Sequence, residues 1–217
     1  MKPYFLALLV VLVPAVAVAA PDRLEKDLGQ GLAYCRVHAL PADLPTAPPR
    51  GALVLDLRFA HGDDNAATAF GAWLKLHATV ATPVFVLINA DTAPSALAYF
   101  AAHEPGPGLV TLGPRSSRLE TDIVVKTSDR ADRAAYEALE HGTALATLLT
   151  DPLVKARHDE ASIAQERTGP AADEDDSDPS DSASAAPSAP AAPPPVIDYV
   201  LLRAVHLHRT LLALRHL

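Results

Sequence analysis

The chain offers few groups able to do chemistry, and most of them stand alone. Ser95 carries a hydroxyl at the start of an expected helix, where a titratable group in hydrogen-bond reach would make it a nucleophile. His77 and His103 qualify as that base by residue type only, because no spacing brings either to Ser95. His61, Asp63 and Asp64 gather imidazole and carboxylate groups of the kind that metals use. In a turn just before a helix the same residues more often cap and solvate its amino end, and that is the reading adopted. His206 and His208 sit two apart on an expected helix, about 200° around it, so they cannot share an ion. Asp56 and Arg58 are the only charges in the apolar run from Leu53 to Phe59. Neither a metal nor a cofactor is called for.

These residues depend on elements that the apolar patterning marks out. Gly31 to Val37 alternates and reads as a first strand. Leu40 to Arg50 is proline-rich and reads as a loop. Leu53 to Phe59 and Val84 to Ile88 are strongly apolar, as expected of parallel strands covered by helices on both faces. Between them the spacing predicts a helix from Ala66 to about His77 that buries Ala67, Phe70, Trp73 and Leu74. A second helix is expected from Ser95 to about His103, stopped by Pro105-Gly106-Pro107-Gly108. Short strands follow at Leu109 to Leu112 and Ile123 to Val125. Asp129 is expected to cap a helix from Arg130 to His141, with Gly142 at its end. The class is α/β.

The termini differ from this core. Residues 1–19 carry Lys2, an apolar run from Tyr4 to Val13, Pro14 and then small residues, the order of a secretory signal peptide cleaved after Ala19. The run is shorter than the ~20 residues of a membrane span. The expectation is therefore an exported protein, periplasmic or secreted, with no stable span after cleavage. Residues 20–168 form the expected core. Residues 169–195 are Ala, Pro, Ser and Asp without apolar periodicity, and read as a disordered acidic linker. Residues 196–217 read as an amphipathic helix with Ile197, Val200, Leu201, Ala204, Val205, Leu211 and Leu212 on one face, expected to pack back on the core. The other possibility is a free tail that finds a partner or a membrane surface.

Composition narrows the function classes. Cys35 is the only cysteine, so no internal disulfide can form, and a buried, inert thiol is expected. Asp173, Glu174, Asp175, Asp176, Asp178 and Asp181 supply most of the formal charge of -8. No basic stripe with interleaved aromatics is present, so a nucleic-acid partner has no support.

Leu55-Asp56-Leu57-Arg58, Val86 to Ala96, Leu119 to Val125 and Asp198 to Ala204 are four stretches that, taken together, resemble the carboxyl-terminal processing (tail-specific) serine proteases. Leu55-Asp56-Leu57-Arg58 matches that family's leucine-aspartate-leucine-arginine strand. Ala60 replaces its following asparagine, Gly62 keeps one of its two glycines, and Asp63 replaces the other. Val86 to Ala96 is similar to the family's valine-rich strand, asparagine and small-residue run. Leu119 to Val125 and Asp198 to Ala204 are weaker matches. Counting from Asn89, the family's nucleophilic serine falls on Pro94, which has neither hydroxyl nor N–H. The stretch Leu112 to Leu119 holds no lysine where the family has its general base, and Arg118 does not deprotonate at physiological pH. Lys126 is the nearest lysine downstream, in an expected strand.

The resemblance implies a crotonase- and ClpP-like ββα spiral core with a C-terminal helix. It also implies a cleft in which Gly62, Asp63, Asn89, Thr92 and Ser95 hold an extended peptide or a small ligand. With Pro94 at the nucleophile position, the expectation is a catalytically inactive relative that binds a peptide or protein, or acts as a scaffold, in the cell envelope. The family's retinoid-binding modules of the vertebrate eye are a non-catalytic precedent. An active serine endopeptidase using Ser95 and a small-ligand carrier are the alternatives.

Overall fold

The computed structural model describes residues 24–47, 50–115, 120–150 and 195–214. The expected signal peptide, residues 169–194 of the expected linker and the stretch 116–119 lie outside them, as does His216.

A six-stranded, mostly parallel sheet organises the chain. Its strands are β1 (Glu25–Asp27), β2 (Leu32–Arg36), β4 (Ala52–Asp56), β6 (Val84–Leu87), β7 (Leu109–Pro114) and β8 (Ile123–Val125), and they lie side by side in that order. Only β1 runs antiparallel, on β2. Two further strands, β3 (Ala39–Leu40) and β5 (His61–Gly62), pair in parallel as a separate small sheet. Neither β1 nor the β3–β5 pair was expected from the sequence. At two or three residues each, they are too short to show a period.

The β4–β6 and β6–β7 crossovers carry α1 (Ala66–His77) and α2 (Pro94–Ala102). Sequential strand order with one crossover hand puts both helices on the same face. There Leu53, Leu55, Leu57, Val84, Val86 and Ile88 meet Phe70, Leu74 and Ala96. The expected helix from Ala66 to His77 is present, but its buried residues are Ala66, Phe70, Gly71 and Leu74; Ala67 and Trp73 are only half-buried. The second helix starts one residue earlier than expected, with Pro94 in its first turn, where the missing N–H costs nothing.

The opposite face is covered by α3 (Asp129–Glu140), α4 (Leu145–Leu148) and α5 (Tyr199–Ala213). Ser128, not the expected Asp129, caps α3, its Oγ accepting from the Ala131 N–H at 3.2 Å. The helix α5 presses Val200, Leu201, Ala204 and Val205 onto Val54, Phe85, Leu87 and Leu112. Its start is joined to the end of α4, because the Asp198 N–H donates to the Leu148 carbonyl at 2.9 Å. No helix among the described residues is long and apolar enough to cross a membrane.

The β7–β8 connection, residues 115–122, is shorter than the roughly dozen residues of a helical crossover. Among the described residues no third helix lies over β7 and β8 on the α1–α2 face, and a groove of about 1080 Å³ is found there.

Candidate functional site

Side chains alternate along a strand, so residues two apart share a face. On the α3–α5 side this places Leu32, Tyr34 and Arg36 in one row, Ala52, Val54 and Asp56 in the next, and Phe85 and Leu87 in the third. Each row is apolar at its amino end. At the carboxyl ends the first two turn polar with Tyr34, Arg36 and Asp56, and Arg58 and Asn89 lie just beyond the strands. Into that polar end α3 brings Asp132, Tyr136 and Glu140, spaced four apart on one helix face. The helix α5 adds its cap, Asp198, whose Oδ1 also accepts from the Leu201 N–H at 2.9 Å.

Arg58 is the hub and is fully buried. Its Nε donates to Asp56 Oδ1 at 3.0 Å and its Nη2 to Asp56 Oδ2 at 2.7 Å. Nη1 reaches Asp132 Oδ1 at 2.8 Å and Asp198 Oδ1 at 3.1 Å, while Nη2 reaches Asp198 Oδ2 at 2.8 Å. All five guanidinium donors are thereby used, which the planar fork of arginine allows and an ammonium does not. The Asn89 amide donates to Asp132 Oδ2 at 3.0 Å, and the Tyr34 hydroxyl to Asp56 Oδ2 at 2.7 Å. Arg36 donates through Nε to the Tyr34 oxygen at 3.0 Å and through Nη1 to the Tyr136 carbonyl at 3.1 Å. Its Nη2 has no hydrogen-bond partner among the described residues, but its guanidinium lies 3.7 Å from the centre of the Tyr136 ring.

The electrostatics follow from this closure. Burial alone would raise the Asp56 carboxyl, but the Arg58 charge and its hydrogen bonds outweigh it and hold the group below its ordinary value. Burial works against the charged form of Arg58, and Asp198 and Asp56 more than reverse it, so the guanidinium is held charged. Burial, followed by the Asp56 charge, pushes the hydroxyls of Tyr34 and Tyr136 well up. The carboxylates of Asp56, Asp132 and Asp198 are all engaged by hydrogen-bond donors. The network fixes where α3 and α5 sit.

Phe59 covers this network from outside with a left-handed backbone, φ 61°, rare for a bulky side chain. Its ring meets Tyr136 edge-on at 4.8 Å and carries the Arg133 guanidinium at 4.3 Å. Arg133 in turn pairs with Asp91 at 2.7 Å.

The residues singled out from the sequence fall into separate roles. Pro94 is exposed in the first turn of α2. Ser95, next to it, is half-buried, and its Oγ is shielded without a hydrogen-bond partner among the described residues. Asp63 Oδ1 accepts from the N–H groups of Asn65 and Ala66 at 3.0 and 2.9 Å, a capping role at the start of α1. Gly62 is a packing position: a Cβ there would lie 3.1 Å from Ala66 Cβ and 3.2 Å from Leu40 Cβ. Asn89 and Thr92 close the turn after β6, with the Asn89 N–H donating to Thr92 Oγ1 and that hydroxyl donating to the Leu57 carbonyl, both at 3.0 Å.

The histidines are dispersed. The His103 ring stacks on Tyr99 at 4.4 Å, the His77 ring lies 4.8 Å from Trp73, and His61 and His206 are exposed. His208 is buried and contacts the Gln30 carbonyl through Nε2 at 3.1 Å. No cluster of three or more metal-ligating side chains exists among the described residues. Lys126 is exposed just after β8.

The groove between α2 and the β7–β8 face is lined, among the described residues, by Phe100, Leu109 and Val124 with Glu104, Arg115 and Glu120 among the polar groups. It is separate from the turn that holds Pro94 and Ser95. Comparison with known proteins adds no relative: no family model, curated protein or solved structure matches the chain.

Proposed function

We propose that this chain is an exported, non-catalytic protein on a crotonase-like spiral core that binds a peptide or protein segment in the cell envelope. The observation that carries the reading is the pair Pro94 and Ser95. The position matching the family nucleophile has no hydroxyl, and the neighbouring hydroxyl has no base in hydrogen-bond reach among the described residues. The sequential parallel strands and the small β3–β5 sheet beside them support the spiral, since repeated strand–strand–helix units generate both. The buried Arg58 network supports it from the other side, because the polar groups at the carboxyl end of the sheet are consumed in holding helices.

The test is an incubation of the purified mature protein with an unfolded substrate bearing an apolar C-terminus, beside the Ser95→Ala variant. Neither protein is expected to cleave it. Cleavage by the wild type that disappears in the variant makes the chain a serine endopeptidase and ends the proposal.

A further inference from the structure

We propose that the sheet face under α5 is a helix-receiving groove in which α5 sits as a tethered, exchangeable occupant. The partner it fits is a protein helix with an aspartate cap and apolar residues spaced as in α5, where Val200, Leu201, Ala204 and Val205 follow Asp198. The inference rests on the binding reading above and names its surface, its partner and the contact that keeps the surface closed.

Three observations carry it. The first is that the seat for the cap is built from groups outside α5. Asp56 accepts from Nε and Nη2 of Arg58 and Asp132 from Nη1, while Asn89 holds Asp132 and Tyr34 holds Asp56. With Asp198 withdrawn, the guanidinium keeps two carboxylates and its orientation. Its Nη1 and Nη2 donors stay aimed at the place of a helix cap, a preformed fork that matches a carboxylate at two points. The second is that the apolar floor is held without α5. Val54, Phe85, Leu87 and Leu112 stand on β4, β6 and β7, each paired along both edges. The other face of β4 and β6 is packed by α1 and α2. An apolar helix face laid into such a floor, with a charged anchor at one end, is a recurring mode of peptide recognition. The third is the connection. In space the Asp198 N–H meets the Leu148 carbonyl at 2.9 Å, but in sequence residues 151–194 intervene, of which 169–194 read as a linker. A helix on such a tether competes for its own groove at an effective concentration on the order of a millimolar.

The probe is a fluorescein-labelled synthetic peptide of residues 195–214, whose anisotropy is followed on titration with the full mature chain. Saturable binding is expected, with half-saturation on the order of a millimolar because the resident helix competes. Asp198→Asn in the chain weakens that resident, so the probe should bind roughly tenfold more tightly. The same substitution in the probe should weaken its binding roughly tenfold, and carrying it in both should restore the wild-type value. Val205→Ala, placed in the chain and in the probe, repeats the test at the apolar face. Far-UV circular dichroism confirms that each chain is folded. No saturable binding to the wild-type or either variant chain overturns the inference, since α5 then does not yield its groove. Binding that the paired substitutions shift in one direction, or leave unchanged, overturns it as well. So does a chain that self-associates and returns to monomer on adding the peptide, the occupant then being a second copy. Mass spectrometry of the probe after titration keeps the two readings apart. A cleaved probe defeats the non-catalytic function, whereas an intact probe that fails the opposite-shift test defeats only the groove.

Discussion

Arg58 grips Asp198 with both terminal nitrogens, at 3.1 and 2.8 Å, across 140 positions of sequence. One residue lies just beyond a core strand and the other caps the terminal helix, so the pair ties that helix to the centre of the sheet. Two more carboxylates, Asp56 and Asp132, share the same guanidinium. Removing one partner from such a network leaves buried charge without compensation, which costs more than the intact pair contributes.

Arg58→Met is therefore expected to lower stability by about 3–5 kcal/mol, by stranding buried carboxylates. Asp198→Asn keeps an oxygen for the Leu201 N–H and loses the ion pair, whereas Asp198→Ala loses both. The second should be less stable than the first by about 1 kcal/mol, the size of a helix cap. Urea denaturation of the three variants checks the order. Equal stability of Asp198→Asn and wild type would show that the pair contributes nothing net.

The pH dependence has a sign on each side. Asp56 is held below its ordinary value of 3.8, so its contribution is present above that pH and lost as pH falls through the lower folded value. Tyr34 is raised above its ordinary 10.0, so folding favours its neutral form, and stability falls as pH rises beyond 10.0. Thermal melts across the range should show a loss below about pH 4 and another above pH 10.0. Tyr34→Phe should blunt the alkaline loss. An alkaline limb unchanged in that variant contradicts the assignment to Tyr34.

Gly71 makes the crossing of α1 and α2 possible. A Cβ there would overlap the Tyr99 ring, which packs with Phe70 and Phe100. Gly71→Ala gains helix propensity but must push that ring away, and overpacking of this kind costs about 1–3 kcal/mol. The net expectation is a lower melting temperature. A stabilised Gly71→Ala would mean that Tyr99 turns aside freely.

The joint between Leu148 and Asp198 bears on residues 169–194, whose composition reads as a linker. Because Asp198 is already hydrogen-bonded to Leu148 at 2.9 Å, replacing that span by a Gly/Ser linker of about six residues should leave the melting temperature of the core within a few degrees. A large fall would mean that the span contributes packing of its own.

Much of this arrangement was legible locally and its centre was not. The periods of Leu53 to Phe59, Val84 to Ile88 and Ala66 to His77 gave their elements, because burial on one or both faces imposes those periods. The charges of Asp56 and Arg58 in an apolar run were the one local sign of a buried network. Their partners Asp132 and Asp198 look like ordinary helix-start acids, and nothing near them in sequence marks a target 74 or 140 positions away. Capping was expected of the turn before α1; Asn65 holds the N-cap position without a side-chain bond, and Asp63 Oδ1 accepts from the Asn65 and Ala66 N–H groups instead. Ser128 was passed over for Asp129 because both are good caps and adjacent.

The most direct test is native mass spectrometry of the mature protein with an unfolded substrate ending in an apolar sequence. The expected result is a complex whose mass is the sum of protein and intact substrate, unchanged after prolonged incubation and unaffected by Ser95→Ala. Shortened substrate released by the wild type but not by Ser95→Ala would contradict a binding protein and assign the chain a reaction.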